Sequence, residues 1–83
     1  MKGNNRIYGN YDKETDTLYF EFSNNKVIRL QTNNEKNRIH YAKNDIIACI
    51  EFFNIKKGIN VLGLPHEEIL RKKLKYYAVK ILD

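Results

Sequence analysis

From Thr17 to Ser23 apolar and polar side chains alternate without a break, with Leu18, Phe20 and Phe22 set against Thr17, Tyr19, Glu21 and Ser23. A period of two suits a half-buried β-strand and not a helix, so the rest of the chain must complete a sheet. Asn24-Asn25 follows, a pair that tolerates the positive φ of a tight turn. Val27 to Thr32 then returns with Ile28 and Leu30 on one face, and the two runs are expected to pair as a hairpin. Residues 32–37 make a second polar break, after which Arg38 to Ala42 turns Ile39 and Tyr41 inward. Residues 42–45 turn the chain once more, into its most apolar segment. There Ile46, Ala48, Ile50 and Phe52 share one face, and Ile47, Cys49, Glu51 and Phe53 the other. A strand apolar on both sides belongs in the middle of a sheet or under a helix. Residues 6–8 are a candidate short first strand, so the pattern predicts a four- or five-stranded antiparallel meander.

Residues 54–64 read as a connection, with a candidate short strand at 59–62. Pro65 then suits a first helical turn, Glu67 and Glu68 suit its positive end, and the basic residues come later. Leu70, Leu74, Tyr77 and Ile81 fall in one stripe at helical spacing, which predicts a C-terminal helix over 65–82 packed on one face of the sheet. The alternation of Tyr77, Val79 and Ile81 leaves a strand over 76–82 as the rival reading. The fold class is α+β: a single small domain over residues 1–83, with the sheet at 8–57.

With 83 residues there is room for one core. Cys49 is the only cysteine, which rules out an internal disulfide and fits a reduced, cytoplasmic setting. The first ten residues hold no apolar leader, and the longest apolar run, residues 46–50, is far too short to span a bilayer. The formal net charge of +5 permits nucleic acid or an acidic protein as a partner. Residues 71–80 concentrate it, with Arg71, Lys72, Lys73, Lys75 and Lys80 and no acid among them.

The stretch from Tyr11 to Phe22, the hairpins, and the run from Asp45 to Lys57 together resemble the YuzE-like family of small bacterial and archaeal domains of unknown function. The matching positions are Tyr11, Asp12, Asp16, Leu18, Tyr19, Glu51, Phe52, Phe53 and Asn54, within about residues 8–57. The chain departs from the family pattern at residues 40–45, usually an acidic hairpin with glycine, and at Cys49, usually glycine. The resemblance implies an antitoxin-like or other partner-binding role.

Asp12 and Asp16 flank the turn before the first clear strand. As short acceptors they suit bonds to backbone N–H groups there. The alternative is an oxygen-rich cation site completed by Glu51, but the alternate carboxylates and central glycine of a calcium loop are missing. Glu51 shares its face with Ile47, Cys49 and Phe53, so it must be paired, to turn amides, a tyrosine hydroxyl or a cross-strand Lys or Arg. His40 alternates outward and reads as a surface residue. His66 begins a zinc-like pattern whose second histidine position is Leu70, so no metal site is expected. Cys49 reads as a small buried side chain, and Gly58 and Gly63 form no phosphate loop.

The leading expectation is a non-enzymatic protein-interaction module, antitoxin-like or an inhibitor of another protein such as a mobile element carries. Its expected contact face is the outer side of the helix, with Ile69, Tyr76 and Val79 rimmed by Lys73 and Lys80, serving a partner or a homodimer. The alternative is a basic nucleic-acid-binding protein using Lys56, Lys57, Arg71, Lys72 and Lys75. A remote alternative is a small hydrolase or metal enzyme centred on Glu51. No cofactor, small-molecule substrate or membrane is expected.

Overall fold

The computed structural model describes residues 7–33 and 36–83. Five strands, β1 (Tyr8–Asp12), β2 (Thr17–Glu21), β3 (Arg29–Asn33), β4 (Asn37–Tyr41) and β5 (Ile47–Phe52), precede one helix, α1 (Glu67–Tyr76). All pairings are antiparallel and the sheet order is β1-β2-β5-β4-β3. The expected α+β architecture, an antiparallel sheet with a C-terminal helix, is therefore present.

One pairing within it differs. β2 and β3 do not form a hairpin, because both sides of β2 are occupied, by β1 and by β5. Strands β2 to β5 thus make a Greek key, in which three strands follow in sequence and the other lies beside the last of them. The reason lies in burial. Leu18 and Phe20 are fully buried and need apolar neighbours, which β5 supplies: Phe20 meets Phe52 edge to face, with ring centroids 6.1 Å apart. β3 carries Arg29, Gln31 and Thr32, is exposed along nearly its whole length, and takes the edge. The first strand begins at Tyr8, not residue 6, which lies outside the described residues. Part of the expected turn at 32–37 lies outside them too.

The helix is shorter than its stripe predicted. Leu70 and Leu74 are fully buried and join Leu18, Phe20, Ile39, Ile50, Phe52, Ile59 and Val61 in the core. The helix then stops at Tyr76 in a Schellman turn. The Val79 N–H donates to the Leu74 carbonyl at 2.9 Å and the Ala78 N–H to the Lys75 carbonyl at 3.0 Å, while Ala78 holds φ 59°. Residues beyond it run back extended along the core. Ile81 makes a single parallel bridge with Ile59, which is all that forms of the candidate strand at 59–62 and of the rival strand at 76–82. Tyr77 packs edge to face on Phe20 at 5.9 Å. That approach depends on Gly9, where a Cβ would sit 2.7 Å from the Tyr77 Cζ.

At the other end of the helix His66 is the cap, with φ 58°, so Pro65 precedes the helix and is not in its first turn; the His66 ring stacks on Phe22 at 4.8 Å. Glu67 accepts the Gly63 N–H and the Arg71 guanidinium, and Arg71 also donates to Asp83. These bonds hold the carboxyls of Glu67 and Asp83 below their ordinary values; the backbone N–H of Gly63 is the larger cause for Glu67, and Arg71 for Asp83. Among the described residues no helix is long and apolar enough to cross a membrane.

Candidate functional site: the uncovered face of the sheet

The helix covers one face of the sheet, and register identifies what occupies the other. Directly opposed residues share a face. The pairs Tyr8↔Glu21, Asn10↔Tyr19, Tyr19↔Glu51, Glu21↔Cys49, Arg38↔Glu51, His40↔Cys49 and Leu30↔His40 therefore form one continuous surface across five strands.

Glu51 lies at its centre and is only 6% exposed, although among the described residues no helix lies above it. The side chains around it provide the burial. His40 Nε2 sits 2.6 Å from Glu51 Oε1, and Arg38 Nη1 lies 3.6 Å from the same oxygen. The cross-strand arginine is the kind of partner the sequence required. His40 corrects the expectation of a free surface residue: its side chain is largely covered and committed to Glu51. Arg38 also lies over the Phe53 ring, 5.4 Å from its centroid.

Tyr19 stands over this cluster. Burial, with the Glu51 carboxylate second, raises its phenol above the ordinary value, so it stays a hydrogen-bond donor at neutral pH. Burial likewise pushes the Cys49 thiol up to about 11, with Glu51 and Glu21 adding to the effect. A thiol that stays protonated is a weak nucleophile, so the proximity of Cys49 to His40 does not create an activated pair.

Two open depressions flank Tyr19. One, of about 820 Å³, lies over β1 and β2 and is lined by Tyr8, Tyr11 and Tyr19 together with Asp12, Glu14, Glu21 and Lys13. Its charge is acidic in a chain whose net charge is positive. The other, of about 510 Å³, is lined by Thr32, Arg38, Glu51 and Phe53.

Asp12 caps the β1–β2 turn, accepting the Glu14 N–H at 3.0 Å as expected. Asp16 does something less local. It accepts the Lys56 N–H at 3.0 Å and the Tyr11 hydroxyl at 2.7 Å, tying the turn to the segment after β5. The Lys56 bond, with the Tyr11 hydroxyl second, holds its carboxyl below the ordinary value. Asp16 and Glu51 thus have separate partners, and among the described residues no group of His, Cys, Asp and Glu gathers as a metal site.

The residues proposed on the helix are only partly brought together. Ile69 and Tyr76 are exposed, at 40% and 82%. Val79 is not on that outer side; it follows the Schellman turn and packs on the core. Lys73 is half-buried and Lys80 exposed, the Lys80 carbonyl accepting the Ile59 N–H. Arg71, Lys72 and Lys75 line one shallow depression with Val79 and Ile81, but Arg71 is bound to Glu67 and Asp83. Lys56 and Lys57 come from the turn after β5, and Lys57 lines a different, apolar depression with Phe52, Ile59 and Leu82.

The uncovered face was partly readable in advance. Alternation places Arg38 and His40 on one side of β4 and Glu51 and Cys49 on one side of β5, but counting back from a turn at 42–45 opposes Arg38 to Cys49. The observed register, with its shift between His40 and Tyr41, instead sets Arg38 opposite Glu51 and His40 opposite Cys49.

A family model described as a protein of unknown function, DUF2283, matches residues 10–56, from β1 through β5 and into the turn that meets Asp16. Comparison with curated proteins and with solved structures returned no match.

Proposed function

The chain belongs to the DUF2283 family, a family of unknown function, and we propose on its own geometry that it is a non-enzymatic module that binds another protein through the uncovered sheet face. One observation carries this reading: the tyrosine-lined acidic depression on that face. Interfaces are enriched in Tyr, Phe and Arg, and their anchors are rigid aromatic groups set in shallow pockets. Tyr8, Tyr19, Phe53 and Arg38 are such groups, three of them held on strands and Phe53 immediately after the end of β5. Asp12, Glu14 and Glu21 around them favour a partner segment rich in Lys or Arg, whose cations would lie on the tyrosine rings. The central Glu51, buried and held through Oε1 by His40 and Arg38, stiffens the face.

The finer reading is that of a YuzE-like domain acting as an antitoxin-like inhibitor, masking a basic surface of its target. The nucleic-acid reading has less support, because Arg71 is neutralised by two carboxylates.

The test is NMR titration of labelled protein with an arginine- and lysine-rich peptide, an acidic peptide and a DNA duplex. The expected result is shifts confined to Tyr8, Tyr19, Glu21 and Cys49 with the basic peptide, abolished by Glu21→Lys with Tyr8→Ala. Shifts at residues 71–75 with DNA, and none on the sheet face with the basic peptide, would overturn it.

A further inference from the structure

Among the described residues, the edge strand β3 lacks the protections that edge strands ordinarily carry. An unpaired strand presents a row of free N–H and C=O groups, and soluble proteins blunt such an edge with lysines, prolines, bulges or a covering element. Among the described residues β3 pairs with β4 alone. Ile28 is 62% exposed and Leu30 53%, and Val27 beside them is exposed as well. The one charge on the strand is already neutralised: Arg29 binds Asp45 at 2.8 Å and lies 4.0 Å from the centroid of the Tyr41 ring. Thr32 accepts the Arg38 Nε at 3.1 Å, and Gln31 donates to Asn33 at 3.1 Å. The result is a neutral, partly apolar ribbon with an open hydrogen-bonding edge.

We propose that β3 pairs antiparallel with β3 of a second copy of this chain, joining two five-stranded sheets into one of ten strands. A second copy is favoured because the strand is its own complement. With a two-fold axis at Leu30, Leu30 faces its own copy, Ile28 faces Thr32, and Arg29 faces Gln31. No like charges oppose one another in that register, and the apolar side chains of both copies fall on the same side. The axis stands perpendicular to the sheet, so the two uncovered faces become a single surface presenting two tyrosine-lined depressions. The dimer also hides apolar area that a domain of this size has little means to bury alone. It stands independently of the protein-binding reading above.

Sedimentation equilibrium of the full chain from micromolar to millimolar concentration tests it. The expected mass rises from 9.9 kDa towards twice that value. Leu30→Lys should weaken the dimer about tenfold or more, by setting two lysines face to face, while Ile69→Asp on the helix leaves it unchanged. Hydrogen exchange of the unsubstituted protein gives a reading that does not depend on the variant folding: β3 amides should slow as concentration rises. A monomer throughout the range would overturn the proposal, and so would a dimer lost in Ile69→Asp but kept in Leu30→Lys. Concentration-independent exchange at β3 would overturn it as well, including when β3 instead takes up a strand from another protein.

Discussion

Replacing Ala78 by glycine distinguishes two accounts of the C-terminal segment by the sign of its effect. In the structure Ala78 is the residue after the helix cap, with φ 59° and both Schellman bonds made around it. A residue with a Cβ pays roughly 1–2 kcal/mol for the left-handed conformation. Glycine adopts it without that strain but loses about 0.4–1 kcal/mol through the greater freedom of its unfolded chain. The difference favours Ala78→Gly by about 0.5–1 kcal/mol. For a domain of this size that corresponds to a Tm higher by about 2–8 °C. If the helix instead ran on through residue 82, position 78 would be interior, and glycine would destabilise by about 1 kcal/mol. Differential scanning calorimetry at one protein concentration measures the shift. A lower Tm for Ala78→Gly would refute the Schellman stop and with it the placement of Val79 and Ile81 on the core. Ala78→Asn should move the Tm in the same direction by less, since asparagine tolerates the left-handed region.

Gly9→Ala should destabilise by about 1–3 kcal/mol in a urea melt, because its Cβ would meet the Tyr77 ring and displace it from Phe20. His40→Ala should cost about 1–3 kcal/mol in the same assay, since it leaves the buried Glu51 with only the Arg38 contact at 3.6 Å. Acid should unfold the protein through Asp16, Glu67 and Asp83, whose carboxyls are all held low. Each contributes stability that is present above its unfolded value, near about 4, and is lost as pH falls through the lower folded value. Circular dichroism melts should therefore show Tm steady down to about pH 5 and falling below that, with a shallower fall in Asp16→Asn.

The strands legible in the sequence were those whose alternation reports burial: β2, β4 and β5, whose Leu18, Phe20, Ile39, Ile50 and Phe52 all reached the core. The β2–β3 hairpin failed because Asn24-Asn25 is a local turn signal, whereas the choice of neighbour for Phe20 is settled by the whole sheet. Helix length was over-read for a related reason. Stops are marked by glycine or asparagine, and here alanine takes the left-handed position, held there by the burial of Val79 and Ile81 behind it. Glu51 was recognisable as an anomaly from alternation alone, but His40 was not recognisable as its partner. Alternation assigns a face and says nothing of how wide the sheet is. In the centre of five strands even an uncovered face has an interior, because Tyr19, Arg38 and His40 close over the residue between them.

The central position of β5 also governs how the chain can assemble as it is made. β2 leaves the ribosome early, yet one of its two partners is the last strand of the sheet, with Leu18 waiting for Phe52. Until residues 47–52 appear, the β1–β2 and β3–β4 hairpins are two separate pieces, each with a bare apolar side and an open edge. Neither can bury Phe20 or Ile39 on its own, so no partial core precedes the whole one. β5 enters between them as a keystone: it meets β4 across a short turn, but its contact with β2 joins segments far apart in sequence. Such topologies fold slowly and leave strand edges bare while they wait. The nascent protein is thus most vulnerable to mispairing just before its last strand arrives.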